Sequence, residues 1–355
     1  MLLDAGSVVI FVLAAVGVQA ACPVAMGVAH RTGFYDRPAG YKQHSRPTPY
    51  LGGVAVLAGF LIGTLVVVDL ERFWVLVACM VALAVVGTVD DRRKLGALPR
   101  VGAELMAAAA LWEAGLGWRL SLGAGVDLAV TIVWVVGVVN AFNLMDNLDG
   151  AAGTLGLVCG LGTGALALLH HDAGLAALAF ALSGSCAGFL RFNLTTPAQI
   201  FLGDGGSMSL GIIAAATAAG AASGASHPGG LALLTGALLV GLVILDTTLV
   251  TISRTRRRVR VLTGGRDHLT HRLLQFIHKP AGVALALAVA QFGLCGCAII
   301  ADQSEAPLLV AISTGCSLLG VLAIVLLEAL WTPNPQSKAR MTIEPAPLGP
   351  AVDPV

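Results

Sequence analysis

Two amides and two carboxylates at helix-turn spacing crowd one short stretch of this chain, running from Asn140 through Asn143, Asp146 and Asp149 to Gly150. Asn143, Asp146 and Asp149 follow one another at intervals of three, so a helix continuing through them would set all three on one face. Oxygen donors of this kind suit magnesium, which keeps several waters and takes one or two protein groups beside substrate phosphates. A purely structural role is the weaker reading.

Four other clusters carry chemistry-bearing side chains. Asp90 and Asp91 are adjacent and are followed by Arg92, Arg93, Lys94 and Arg100. Neighbouring carboxylates repel, and they coexist beside a cation, beside a basic group, or with one proton retained; a solvated helix end is the alternative. The run Phe201-Leu202-Gly203-Asp204-Gly205-Gly206-Ser207 lets backbone approach a phosphate closely. There Ser207 could cap the following helix, whose amides favour an anion, and Asp204 could hold a metal at the same place. His268 and His271 stand three apart between Arg266 and Arg272. That spacing would serve a metal, but the flanking arginines favour a phosphate or a sugar. The fifth cluster holds Asp36, Arg37, Lys42 and His44 and ends in Pro47-Thr48-Pro49-Tyr50-Leu51-Gly52-Gly53. A rigid turn carrying topology charges is an even alternative for it.

The elements that must position these clusters are membrane helices. The 355 residues are 57% hydrophobic and 12% charged, against about 25% charged in a soluble chain. A bilayer-spanning helix needs roughly 20 apolar residues. That ruler finds eleven segments, at 7–29, 51–69, 73–89, 101–118, 125–142, 151–169, 174–190, 207–224, 230–252, 281–301 and 307–330. The fold class is therefore all-α and polytopic. The fourth segment is the weakest, because it carries Glu104 and Glu113. With the N-terminus outside and the C-terminus cytoplasmic, 19 of the 21 Lys and Arg residues fall on inner loops and only Arg72 and Arg119 outside. All five polar clusters then face the cytoplasm, an agreement that the count of basic residues did not use. The N-terminal apolar stretch lacks the basic start of a secretory signal and reads as a retained helix. Residues 1–331 read as a single transmembrane catalytic domain and 332–355, rich in Pro, as a disordered cytoplasmic tail.

Across residues 30–280 the clusters together resemble the polyprenyl-phosphate N-acetylhexosamine-1-phosphate transferases, bacterial undecaprenyl-phosphate GlcNAc-1-phosphate transferases among them. The family's Asp-Asp pair matches Asp90 and Asp91, its basic residue Arg100, its Asn-Ala-x-Asn-x-x-Asp-Gly-x-Asp-Gly pattern Asn140 to Gly150. Its Gly-Asp-x-Gly-Ser turn matches Gly203 to Ser207, and its His-Leu-His-His-Arg-Leu motif His268 to Leu273. Two positions depart from the pattern: Asn147 stands where Gly is usual, and Thr270 where a His is usual.

The resemblance implies catalytic roles for Asp90, Asp91 and Asp146, with Asp90 orienting or deprotonating the lipid phosphate and Asp91 supporting it. It implies Mg2+, with Mn2+ admitted in its place, on Asn143 and Asp204. Substrate contacts would come from Arg100 at phosphate, Asp149 near the nucleotide, and His268, His271 and Arg272 at the diphosphate or sugar, joined by Lys42 and His44. Asp246 also matches an acidic family position. The implied partners are a UDP-N-acetylhexosamine, a polyprenyl phosphate and membrane lipids, in a bacterial inner membrane, with a homodimer left open.

Within the family the alternative is a phospho-MurNAc-pentapeptide transferase, but the His-x-x-His-Arg-Leu loop sits nearer the GlcNAc type. A transporter or lipid flippase would place polar groups near the midplane on broken helices and often shows repeats; here they crowd one face and no repeat is visible. Nucleic acid is a poor candidate partner, since aromatics are scarce and no basic stripe carries them interleaved; the net charge of +1 does not bear on it. The seven cysteines, all in apolar stretches without paired Cys-His spacing, read as small buried hydrophobes rather than a zinc site.

Overall fold

The computed structural model describes residues 5–36, 47–65, 70–224, 229–261 and 264–331. Lys42, His44 and the tail from 332 lie outside the described residues. Thirteen helices follow in order: α1 (Ala5–Thr32), α2 (Gly52–Leu65), α3 (Leu70–Arg93), α4 (Ala97–Glu113), α5 (Ala124–Met145), α6 (Ala151–Leu169), α7 (Ala173–Asn193), α8 (Gly203–Ser223), α9 (Ala232–Leu239), α10 (Gly241–Arg256), α11 (Leu269–Ile277), α12 (Pro280–Asp302) and α13 (Ala306–Leu330). One small antiparallel pair, β1 (Tyr35–Asp36) and β2 (Thr48–Pro49), aligns Tyr35 with Pro49 and Asp36 with Thr48.

Each of the eleven expected segments falls on helix among the described residues. Among the described residues eight helices are long and apolar enough to cross a membrane, or nine if the bent pair α9–α10 counts as one span. Among the described residues the apolar helix α2 covers 14 residues, up to the segment 66–69, and α4 covers 17. The chain is a multi-pass, all-α membrane protein.

The core is α8. Nearly every one of its residues is buried, and it packs against α2, α3, α5, α6, α7 and α9. Its Gly, Ala and Ser content explains that position, because in lipid close packing of small residues replaces the hydrophobic drive between helices. The crossing with α3 depends on it. A Cβ on Gly87 would overlap the Asp204 backbone, and one on Gly205 would overlap Thr88. The peripheral helices read the other way. Leu285, Val289 and Phe292 on α12 and Leu318, Leu319 and Leu326 on α13 are exposed, forming a surface suited to acyl chains.

The apolar segment 230–252 is not one helix. It bends by 84° between α9 and α10. Backbone groups freed by such a break are costly where water is absent. Gln291 of α12, fully buried, satisfies them: its amide nitrogen donates to Leu238 O (3.1 Å) and Leu239 O (2.9 Å), and its oxygen accepts the Leu242 N–H (3.0 Å). Beyond the bend, α10 packs on α5, α11, α12 and α13.

Candidate active site

Four of the five polar clusters meet at one end of the bundle, where α3, α5 and α10 finish and α4, α6, α8 and α11 begin. The fifth joins through backbone. Phe201 N–H donates to Pro49 O (2.9 Å), while Gly52 and Gly53 N–H donate to Phe201 O (3.0 Å) and Leu202 O (2.9 Å). The Pro47–Gly53 segment thus lies along the entry to α8. Tyr50, at its middle, is held beside Asp36; burial first and the Asp36 charge second push its phenol pKa up.

The centre is an acidic cradle. Asp90 and Asp91 close α3, Arg100 opens α4, Asn143 ends α5, and Asp204 sits in the first turn of α8. The Arg100 guanidinium reaches three of them: Asp90 Oδ2 at 2.9 Å, Asn143 Oδ1 at 2.8 Å and Asp204 Oδ2 at 3.4 Å. Asn143 in turn donates to Asp204 Oδ1 (2.8 Å) and Ser207 Oγ (2.9 Å). The other Asp90 oxygen, Oδ1, is buried without a hydrogen-bond partner.

Both oxygens of Asp91 accept the Asp204 N–H, at 3.1 and 3.0 Å. Asp91 therefore caps α8 from another helix. Ser207, expected as that cap, lies a turn inside, because α8 starts at Gly203, whose φ of +75° turns the chain into the helix. Ser207 instead fixes the Asn143 amide.

The expected common face of Asn143, Asp146 and Asp149 is also corrected. α5 stops at Met145 and Asp146 leaves helical geometry with ψ 45°. The turn that follows is closed by Asn193, whose oxygen accepts the Gly150 N–H at 2.7 Å and whose amide donates to Ile200 O at 3.0 Å. Asp146 still reaches the cradle. Burial, then the charges of Asp204, Asp91 and Asp149, raise its pKa well above the ordinary carboxylate range.

The histidine loop packs against this turn through Thr270, whose hydroxyl donates to Asn147 Oδ1. His268 is 3% exposed and bonds through Nδ1 to Asp246 Oδ2 (2.9 Å), and Asp246 Oδ1 accepts the Leu269 N–H (2.6 Å). Asp246 thus starts α11 and orients the imidazole, a role its isolated position in an apolar segment does not announce. Burial lowers the His271 pKa to about 4, helped by the Arg266 charge, so His271 is neutral at pH 7 and offers a lone pair.

Arg272, expected at the substrate, is 1% exposed and points into the protein. Its guanidinium donates to Asp267 O (2.9 Å), Leu327 O (3.0 Å) and Ser253 Oγ (2.9 Å), pairs with Glu328 (2.6 Å), and lies 4.6 Å from the Trp331 ring centroid. Beside it Arg254 forks onto Asp267 at 2.7 and 3.0 Å, and Arg257 joins them. Burial pushes the Asp267 carboxyl up, but the bonds and charges of these arginines outweigh it and bring its pKa to about 2. Arg254, Arg257 and Arg272 form a latch that ties the loop to α10 and α13. Sequence reading also missed Glu104 of α4 as part of this end: it is fully buried and bonded by Asn140.

Among the described residues no three of His, Cys, Asp and Glu form a closed metal cage. The donor set fits a hard cation of another kind. Asp204, Asn143 Oδ1 and the unpartnered Asp90 Oδ1 offer oxygen only, too few to enclose an ion, and such a site is completed by water and phosphate. The arrangement is thus able to gather anionic groups around a shared positive charge, with Arg100 already in place.

A family model described as Glycosyl transferase family 4 matches residues 73–221, which hold the cradle. The chain is 34% identical over 326 residues to a decaprenyl-phosphate N-acetylglucosaminephosphotransferase of Mycobacterium tuberculosis, covering 78% of this chain and 79% of the relative. It is 29% identical over 294 residues to an undecaprenyl-phosphate alpha-N-acetylglucosaminyl 1-phosphate transferase of Yersinia pestis (77% and 79% covered). It is also 29% identical over 283 residues to a probable undecaprenyl-phosphate N-acetylglucosaminyl 1-phosphate transferase of Bacillus subtilis (76% and 77%).

Proposed function

Because the chain belongs to the polyprenyl-phosphate N-acetylglucosamine-phosphotransferases of glycosyl transferase family 4, we propose that it transfers N-acetylglucosamine-1-phosphate to a polyprenyl phosphate at the Asp90–Asp91–Asn143–Asp204 cradle. The donor is UDP-N-acetylglucosamine and the leaving group UMP. The observation that carries this reading is the convergence of Asp90, Asn143 and Asp204 on the Arg100 guanidinium. A reaction between two anions needs such a place, where charge is gathered and neutralised before the phosphates approach.

Asn143 and Asp204 would hold Mg2+, which would supply charge neutralisation and polarisation of the diphosphate. The residues do the rest. Arg100 binds the phosphate oxygens. Asp90, pinned by Arg100 with one oxygen unbonded, orients the lipid phosphate or takes its last proton. Asp91 holds the α8 entry, and so Asp204, in register. Asp146, whose pKa is raised by burial and then by the neighbouring carboxylates, faces the cradle from the end of α5. His268 and His271 meet the diphosphate or the sugar, and Asp149 lies toward the nucleotide.

The lipid phosphate attacks the β-phosphorus directly. A phosphate monoester has a second pKa near about 6 and is mostly dianionic at pH 7, so it needs no protein nucleophile. The counts of basic residues support an N-terminus outside and a cytoplasmic site in an inner membrane.

The test is purified protein in lipid nanodiscs with UDP-N-acetylglucosamine and undecaprenyl phosphate. UMP and lipid-linked sugar phosphate should appear in equal amounts and only with the lipid present. UMP exchange into the donor without lipid, at a rate near turnover, would replace direct attack with a covalent enzyme intermediate. No transfer from this donor would reject the reading.

A further inference from the structure

The two departures from the family motifs, Asn147 and Thr270, lie 123 positions apart and touch. Thr270 is fully buried, so its hydroxyl has no water to turn to, and it donates to Asn147 Oδ1. Asn147 is fixed at its other end, where Nδ2 donates to Leu144 O at 2.5 Å. Thr270 Oγ1 also lies 3.4 Å from His271 Nδ1. Asn147 is not among the residues with positive φ, so the turn makes no backbone demand for glycine there. What a side chain at 147 needs is room. Thr at 270, fully buried against Asn147, leaves that room, and a larger His there would take it.

We propose that Asn147 and Thr270 form one positioning pair, exchangeable only together, that docks the histidine loop on the acidic turn and sets how His271 meets the sugar nucleotide. The proposal rests on the transfer reading above. It assigns these residues to donor recognition and leaves the lipid site to other groups. A loop merely stabilised by the contact would lose folded protein when the contact is removed. Breaking a positioning pair also raises the donor KM of the protein that stays folded.

The experiment is a double-mutant cycle on the full chain in nanodiscs, with donor KM, lipid KM, kcat and melting temperature measured for each variant. Thr270→Val and Asn147→Gly should each raise the donor KM about three- to tenfold, the worth of one hydrogen bond. Their combination should be no worse than either alone, Thr270→Ser should behave as wild type, and the lipid KM should not move. Thr270→His alone should lose tenfold or more, since overpacking a buried site is disruptive, and Asn147→Gly beside it should recover most of that loss. Effects that multiply, a Thr270→His variant indifferent to residue 147, or a change confined to lipid KM would each overturn the pair. A wild type that transfers nothing from UDP-N-acetylglucosamine would overturn the functional reading instead. The same cycle read in melting temperature then still decides the pairing, which non-additive losses support and additive losses reject.

Discussion

The two ends of the helix bundle treat their carboxylates in opposite ways. At the end away from the cradle Asp172, Asp127 and Asp302 each have donors of their own, although Asp302 Oδ1, like Asp90 Oδ1, is buried without one. Arg72 forks onto Asp172 at 2.9 and 2.7 Å, and Asp172 also caps α7 through the Leu175 N–H. Asp127 accepts the Leu120 and Leu122 N–H groups at 3.1 and 3.4 Å. His170 bridges Asp302 (2.8 Å) and Ala221 O (3.0 Å). At the cradle, Asp90 and Asp204 share one guanidinium, Asp91 is turned onto a backbone amide, and the Asp146 pKa is raised by burial first and by its acidic neighbours second. Paired acids hold a fold together. Acids with too little counter-charge are costly unless a ligand completes them.

The sharpest way to break this comparison is Asp204→Asn. Transfer should fall by about a thousandfold or more, the scale of losing a key charge-stabilising group. Melting temperature should hold or rise, because one of several repelling acids is gone. A collapse of stability would place the cradle with the structural acids.

Arg254→Ala tests the latch beside it. Removing one partner of a buried pair costs about 3–5 kcal/mol, so the variant should melt far below wild type. The latch has an acid limit as well. The Asp267 pKa is depressed to about 2, so its contribution is present above the unfolded value near about 3.9 and is lost as pH falls toward 2. Wild type should lose this increment between those values, and Arg254→Ala should lose less, because only Arg257 then remains paired with Asp267.

At the opposite end, His170→Ala should cost about 1–3 kcal/mol of stability, the penalty for unpairing a buried acid, with transfer per folded molecule unchanged. The bond to Asp302, ahead of opposing burial, raises the His170 pKa. Its stabilisation is therefore full below the unfolded value near about 6.5 and fades as pH rises through the folded value. The wild-type melting temperature should show this decline on the alkaline side of that value, and His170→Ala should lack it. The smallest effect is expected for Arg72→Ala. Arg72 is half exposed, so the pair is worth about 1 kcal/mol or less, and transfer should be indifferent.

Much of this contrast was legible in the sequence. Asp90, Asp91, Asn143, Asp146 and Asp204 stand out because acids and amides recur at the ends of apolar segments, where burial is costly. What the sequence hid is which atom meets which. Two adjacent aspartates carry no sign that one is held by Arg100 and the other caps a distant helix. Arg272 sits inside a motif, yet its partners come from α10, the loop itself and α13. The break after α9 is hidden because the segment has no Pro and Gln291, which satisfies it, lies on α12. Asp246 gains meaning only when the fold brings His268 and Leu269 to it.

On the proposed reaction, the cradle's shortage of positive charge is made good by a divalent cation bound together with the donor diphosphate. The most direct measurement is the melting temperature of wild type and Asp204→Asn in nanodiscs, with Mg2+ alone, UDP-N-acetylglucosamine alone, and both. Saturation at about a hundred times Kd stabilises by about 2.7 kcal/mol, which reads as a rise of several degrees. The account predicts that rise for wild type only when cation and donor are present together, and none for Asp204→Asn. An equal rise in both proteins, or a full rise in wild type with donor and chelator, would contradict it.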